Sequence, residues 1–342
     1  MRLWALFLEF FLSLQHLIDM YGQLLGGGDV SKDMKMGMYT LRHVISTFGQ
    51  CLRQAVPKAA ASALWLLKLM LPISLVVTLA HHYGVLDIIA RWLNPLFALL
   101  GLPGSSAVAF VSGATAGTYA GIAAMMSMPL TMREATILAL MIALCHALPM
   151  ECAVNRKTGS SFWKMGVLRV IMAILCALLL NLVLPPMEEK YMFLGADRSG
   201  GLTEVMTLWA WSQLKMSVVV FLIIYALMAV QRLLEAYSLL RPLSLRLSPL
   251  MHFFGLPEGA AYMWLVGNVL GISYGAAVMV DLEERGIISR KEANDVNYHL
   301  IMNHSMLEDT LVFAATGISA LLLISVRVAF AMVLLWGRKC RW

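Results

Sequence analysis

Charge is what this sequence has least of. Lys, Arg, Asp and Glu together make up 13% of its 342 residues, while 60% are hydrophobic; an ordinary soluble domain carries about 25% charged residues. Residues 104–130 hold no charged side chain at all, 61–80 hold only Lys68, 208–230 only Lys215, and 317–337 only Arg327. Helices need about 20 apolar residues to cross a bilayer. With a mean hydropathy of +0.76, the chain reads as an all-α, polytopic integral membrane protein.

Other absences narrow the function. The five cysteines (51, 145, 152, 176, 340) form no CxxC pair, so they read as small core residues rather than a disulfide frame or zinc site. There is no HExxH and no nucleophile–base motif, which argues against an enzyme. The net charge of +6 comes with no basic run interleaved with aromatics; loop lysines and arginines in a membrane protein encode orientation rather than nucleic-acid binding. Residues 1–22 carry one arginine ahead of an apolar run interrupted by Glu9, with no small-residue cleavage site. They read as an amphipathic interfacial helix, not a signal peptide. A polar loop, GGGDVSKDMK, and a second amphipathic helix over 38–56 come next, so that 1–60 forms an N-terminal interfacial region.

What the sequence does have is itself, twice. GLPGSSAVAFVSGATAGTYAGIAAM starts at Gly101 and GLPEGAAYMWLVGNVLGISYGAAVM at Gly255. At an offset of 154, Gly113, Gly117 and Gly121 fall on Gly267, Gly271 and Gly275; past a four-residue insertion the offset becomes 158, pairing His146 with His304, Glu151 with Asp309, Gly159 with Gly317, and Arg169 with Arg327. Repeats of this kind are read before any other feature. Each unit reads as four helices, a (61–80; 208–230), b (104–128; 259–281), c (131–150; 289–308) and d (160–184; 317–337). The first repeat spans 61–184, a loop 185–207, and the second repeat 208–342.

Basic residues set the orientation. Arg53 and Lys58 precede helix a of the first unit, whereas Arg232, Arg241 and Arg246 follow that of the second; Arg156, Lys157 and Lys164 precede the first helix d, whereas Arg338, Lys339 and Arg341 follow the second. The positive-inside rule then gives the two copies opposite polarity. Opposite polarity needs an odd number of crossings per copy, so one helix of the four does not span. Helix c, with Pro149 near its end and polar groups clustered there, is the expected re-entrant or broken one. Two inverted repeats with discontinuous helices are a transporter architecture.

The polar residues inside the apolar segments are the candidate site. Thr131-x-x-Glu134 and Ser289-x-x-Glu292 open the two helices c as capping boxes. The glycine ladders on helices b suit close helix packing or close approach to a substrate; Ser112, Thr115, Thr118 and Tyr119 flank the first, and Asn268, Ser273 and Tyr274 the second. His304 and Glu308 lie one turn apart, a pairing suited to cation binding or proton relay. Arg169 and Arg327 lie ten residues beyond Gly159 and Gly317, about 15 Å along helix d. A guanidinium at mid-membrane costs at least ~2.5–3.5 kcal/mol, so each reads either as an ion-pair partner or as a substrate anchor. Lys68 and Lys215 can snorkel. The candidate substrate- or ion-binding residues are His146, Glu151, Asn268, Asn303, His304, Glu308, Asp309, Arg169 and Arg327; whether a metal binds is left open.

The ladder of SGATAGTYAGIAA and LGISYGAAVM, the Glu-Ala start of helix c, and His-x4-Glu/Asp followed by glycine together resemble the nucleoside-recognition ("Gate") domain family. Spore maturation proteins A and B and the paired gate domains of ferrous-iron transporter B belong to it, and the membrane core of concentrative nucleoside transporters is related. The resemblance covers 61–337. It implies a multi-pass permease-like protein of a bacterial-type cytoplasmic (inner) membrane, with inverted repeats around a central site. The sequence holds no GTPase domain and no clear nucleoside-binding motif.

The expected function is transport of a small polar or anionic solute, a nucleoside-like compound among them, by alternating access coupled to a proton or cation. A membrane scaffold and a lipid-carrier translocase are the rival readings. The expected partners are the bilayer and the solute, with a homo-oligomer left open; no cofactor and no nucleic acid are expected. Cysteines introduced at 157 and 316 should react with a membrane-impermeant thiol reagent from opposite sides; same-side labelling would end the inverted-repeat reading.

Overall fold

The computed structural model describes the backbone of residues 30–191 and 201–339 and, within these, the side chains of residues 46–338. The expected helix over 1–22 lies outside the described residues, as do Cys340 and Arg341. The chain divides into two units, Met1–Gln50 and Cys51–Trp342. The first is helical from residue 30 onward, and the second holds both copies of the sequence repeat.

Fourteen α-helices are described, with no strand among the described residues. In chain order they are α1 (Val30–His82), α2 (Val85–Leu99), α3 (Ser106–Ala116), α4 (Thr118–Met126), α5 (Met132–Leu144), α6 (Leu148–Lys157), α7 (Phe162–Val183), α8 (Leu202–Ala236), α9 (Leu240–Phe254), α10 (Ala261–Val269), α11 (Ile272–Glu284), α12 (Arg290–Asn303), α13 (Met306–Ala315) and α14 (Ala320–Lys339). Helix α1 is longer than expected. It begins inside the stretch read as a polar loop and runs unbroken through residues 60–61, with Pro57 and Pro72 in its interior.

Five segments are long and apolar enough to cross a membrane: Ser46–His82, Met132–Lys157, Phe162–Val183, Leu202–Ala236 and Ala320–Arg338. Met132–Lys157 (α5 plus α6) is the innermost of these. Every residue of α5 from Ala135 to Leu144 is buried, whereas α7 and α14 turn large apolar side chains outward, Leu182 at 84% and Leu321 at 78% exposure. Apolar exposure on that scale marks a surface made for lipid.

The shortest helices correct the sequence reading. The sequence reads helix b as a single run in each copy; it is a hairpin in both. Gly117 (φ 107°, ψ 173°) separates α3 from α4, and Gly271 (φ 92°, ψ 166°) separates α10 from α11. Only glycine adopts such a conformation without strain. Folding back at Gly117 sets Gly113 against Gly121: a Cβ built on Gly121 would lie 3.1 Å from the Gly113 Cα, and one on Gly275 3.0 Å from the Gly267 Cα. The ladder is therefore the seam between the two arms of a hairpin. Arms of 11 and 9 residues reach about 16 and 14 Å, too short for a hydrocarbon core of about 30 Å.

Helix c is broken as expected, but in the first copy it is not the element that falls short of the membrane: Met132–Lys157 is long enough to cross, the hairpin of helix b is not, and Pro149 does not cause the break. The break falls at Cys145–Ala147, and Pro149 sits in the first turn of α6, where its missing N–H costs nothing. Ala147 (φ 45°) and Ser305 (φ 50°) turn the chain at the two breaks, in a left-handed conformation that costs a non-glycine residue roughly 1–2 kcal/mol. The first arm of each hairpin holds its turn, four residues before the tip: Ala147 N donates to Gly113 O at 3.0 Å, and Ser305 N to Gly267 O at 3.1 Å. Both capping boxes form, Thr131 with Glu134 and Ser289 with Glu292.

The copies also interlock. The α-carbon of Gly159 abuts Arg290 and that of Gly317 faces Met132. Asn297 Nδ2 donates to Thr158 Oγ1 at 2.7 Å and to Ser160 Oγ at 2.9 Å. Thr316 is buried but Ser319 is exposed, so Lys157 and Ser319 are the better labelling pair. Gly275→Val drives a side chain into the Gly267 backbone; overpacking of this kind costs about 1–3 kcal/mol, so thermal unfolding in detergent should shift clearly downward. Gly259, with nothing within 4 Å of an added Cβ, should accept Ala within about 0.5 kcal/mol.

Candidate functional site

A helix that breaks inside a protein leaves carbonyls at one end and N–H groups at the other without partners. The sequence fills both ends of both breaks. At the end of α5, Arg169 Nε donates to Leu144 O at 2.9 Å; at the end of α12, Arg327 Nε donates to Met302 O at 3.0 Å and Arg327 Nη2 to His304 O. His146 Nδ1 lies 3.1 Å from Ile142 O and from Ala143 O, and His304 Nδ1 2.7 Å from Leu300 O. Cationic and N–H-bearing groups suit the negative end of a helix. Helices α6 and α13 then restart with acids in the first turn, Glu151 in one, Glu308 and Asp309 in the other, where the helix dipole favours negative charge. The histidine followed five residues later by an acid is thus the signature of a helix that stops and restarts.

The two breaks meet. The His146 and His304 rings lie 5.0 Å apart between centroids. Glu151 Oε1 sits 3.2 Å from His146 Nε2 and 3.1 Å from His304 Nε2, and Glu151 Oε2 pairs with Arg169 Nη1. Asp309 Oδ2 pairs with Arg327 Nη1 at 3.0 Å and stops 3.8 Å from His146 Nε2, consistent with a side chain one methylene shorter. Arg169, Arg327 and His304 are completely buried, and His146, Glu151 and Asp309 nearly so. His146, Glu151 and His304 each offer one ligand atom, and the three atoms lie within 4.8 Å of one another.

The first hairpin closes over this cluster. Thr118 Oγ1 donates to Asp309 Oδ1 at 3.1 Å, and Tyr119 OH to Glu308 Oε1 at 3.0 Å. Both residues follow the glycine at the tip. In the sequence they register only as flanks of the ladder, because their partners lie about 190 residues away in the chain. Asn155 is not among the expected site residues, yet it is completely buried with neither amide atom hydrogen-bonded; a lone Asn beyond the expected end of helix c gives no signal of that.

Seven expected site residues therefore come together: His146, Glu151, Arg169, His304, Glu308, Asp309 and Arg327. Two do not. Asn268 Nδ2 donates to Trp264 O at 2.9 Å within its own helix, and Asn303 is buried without a hydrogen bond to the cluster. Both arginines are ion-paired and also donate to backbone carbonyls. Lys215 Nζ lies 5.1 Å from the centroid of the Trp211 ring.

Removing one member of a buried ion pair strands the other and typically costs 3–5 kcal/mol, whereas replacing both by apolar groups is far milder. Arg327→Met should thus lower the melting temperature in detergent markedly, and Arg327→Met with Asp309→Leu should recover part of the loss. Equal losses in the two proteins would mean that the pair is not what holds this break.

Residues 63–159, which include the first hairpin and the first broken helix, match the Gate family model, described as nucleoside recognition. YvoD of Bacillus subtilis (strain 168), an uncharacterized membrane protein, is 30% identical over 283 residues, covering 80% of this chain and 89% of the relative. Among solved structures, that of CNTnw in an inward-facing substrate-bound state superposes with a TM-score of 0.42 at 14% identity, covering 92% of this chain and 87% of that one. The chain belongs to the Gate-domain family of membrane proteins, together with YvoD.

Proposed function

We propose that this protein is a membrane transporter that moves a small polar solute by alternating access, coupled to a cation. The observation that carries the reading is the meeting of two broken helices, each ending in a buried, charged cluster beneath a hairpin tip. Unwound backbone and ionisable groups deep in a membrane protein are costly, and where they occur they line solute and ion pathways.

In this reading residues 61–184 and 208–342 are two Gate-type repeats inserted with opposite polarity. Three membrane-crossing segments (α1, α5–α6 and α7) give the first copy the odd count that inversion requires. The hairpin α3–α4 serves as a gate: lifting its tip breaks the Thr118–Asp309 and Tyr119–Glu308 hydrogen bonds and uncovers the acids. The charge balance favours a cation as the coupling species. Two arginines face three carboxylates, and both guanidiniums are engaged by acids and carbonyls, with Arg169 Nη2 left as a buried donor without a hydrogen bond. The description of the matched family model puts nucleosides first among the solutes to test.

Counterflow in proteoliposomes, run over a panel of nucleosides, amino acids and small cations, tests the proposal. Wild-type protein should exchange at least one solute, and Glu151→Gln and Tyr119→Phe should each cut the rate about tenfold or more while the protein still reconstitutes. A flat wild-type signal across the panel would count against transport.

A further inference from the structure

We propose that His146 Nε2, His304 Nε2 and Glu151 Oε1 form a binding site for a divalent first-row transition-metal ion.

The position of the ring protons is decisive. Each histidine turns Nδ1 toward backbone carbonyl oxygen: His146 toward Ile142 and Ala143, His304 toward Leu300. A carbonyl only accepts, so Nδ1 is the donor in both rings and, in a neutral imidazole, Nε2 is left with a bare lone pair. Both lone pairs then converge on one carboxylate oxygen, at 3.2 and 3.1 Å. An ionised carboxylate has no proton to offer. Three acceptors thus face one another in a pocket from which solvent is excluded, an arrangement that repels itself unless a cation sits among them. His304 Nε2 is accordingly left without a hydrogen bond although the residue is completely buried.

The two nitrogen-to-oxygen spacings fit a metal. Two ligand atoms held about 2.0–2.1 Å from a tetrahedral ion stand about 3.3 Å apart, close to the two observed separations. The supporting contacts fit as well. Metal-bound histidines almost always donate their other ring N–H to a carbonyl or carboxylate, which fixes the tautomer and the ring orientation. Here backbone carbonyls do this for both rings, while Arg169 holds the far oxygen of Glu151 and leaves the near one facing inward. Imidazole nitrogen selects zinc, iron, cobalt or nickel over magnesium and calcium, which prefer oxygen ligands. Three protein ligands leave a fourth position open for water or a solute. Binding of an ion does not require that the chain move a solute, so this proposal and the transport proposal fail separately.

The test uses the full chain, purified in detergent, stripped with a chelator and titrated with Zn²⁺ against a chromophoric competitor, with Co²⁺ as a spectroscopic probe. One tightly bound Zn²⁺ per chain is expected, together with a rise in melting temperature on adding Zn²⁺ and a tetrahedral Co²⁺ spectrum without thiolate charge-transfer bands. His146→Ala, His304→Ala and the near-isosteric Glu151→Gln should each weaken binding by roughly tenfold or more. Cys51→Ser, at a buried thiol outside the cluster, should leave binding unchanged. Should the histidine variants fail to fold, Glu151→Gln and the wild-type melting shift still decide the question. No retained Zn²⁺, no melting shift, or affinity unaltered in Glu151→Gln and the histidine variants would overturn the site; a centre that responds to pH but not to metal would overturn it too, since a proton alone would then neutralise the cluster.

Discussion

Backbone carbonyls released in the interior of a membrane protein have to be satisfied, and this molecule is arranged around that requirement. Where α5 and α12 stop, water is not at hand to take the last carbonyls. A side chain from the next helix but one does it instead: Arg169 from α7 and Arg327 from α14. A guanidinium so deep needs a counter-charge, and the first turn of the restarting helix supplies one. Helix break, arginine, acid and histidine are therefore one unit, used twice, and the second use is placed so that the two histidines touch.

This unit was legible in the sequence because it repeats. Either histidine alone, in an apolar segment, carries little information; the same histidine recurring at an offset of 158 with an acid five residues on and an arginine 23 residues on is hard to attribute to chance. The capping boxes were legible for a simpler reason, since their chemistry is local and spans four residues. An amide in an apolar run, such as Asn268, raises the question of a partner, and the structure answers half of it: Nδ2 donates to a carbonyl one turn back in the same helix, while Oδ1 is buried without a hydrogen bond.

The hairpins were not legible, and the reason is geometric. Glycines four residues apart line one face of a straight helix; when the middle glycine reverses the chain, the outer two face each other instead. Both arrangements want small residues at the same positions, so spacing cannot tell them apart. What separates them is the backbone conformation of Gly117 and Gly271, which a sequence permits but does not declare. Thr118 and Tyr119 went unassigned for the same reason: only after the chain folds back do they point at Asp309 and Glu308.

The glycine seams also limit how these hairpins can move. With Cα set against backbone and no side chain between, neither arm can slide along the other or splay without opening a gap that nothing fills. Each hairpin is thus packed backbone to backbone along its seam. In the first copy the base of the hairpin is itself locked, since Gly104 sits against the backbone of α2 at Ala90 and Asn94. One end of the first hairpin therefore rests on α2 and the other, through two hydroxyls, on Asp309 and Glu308.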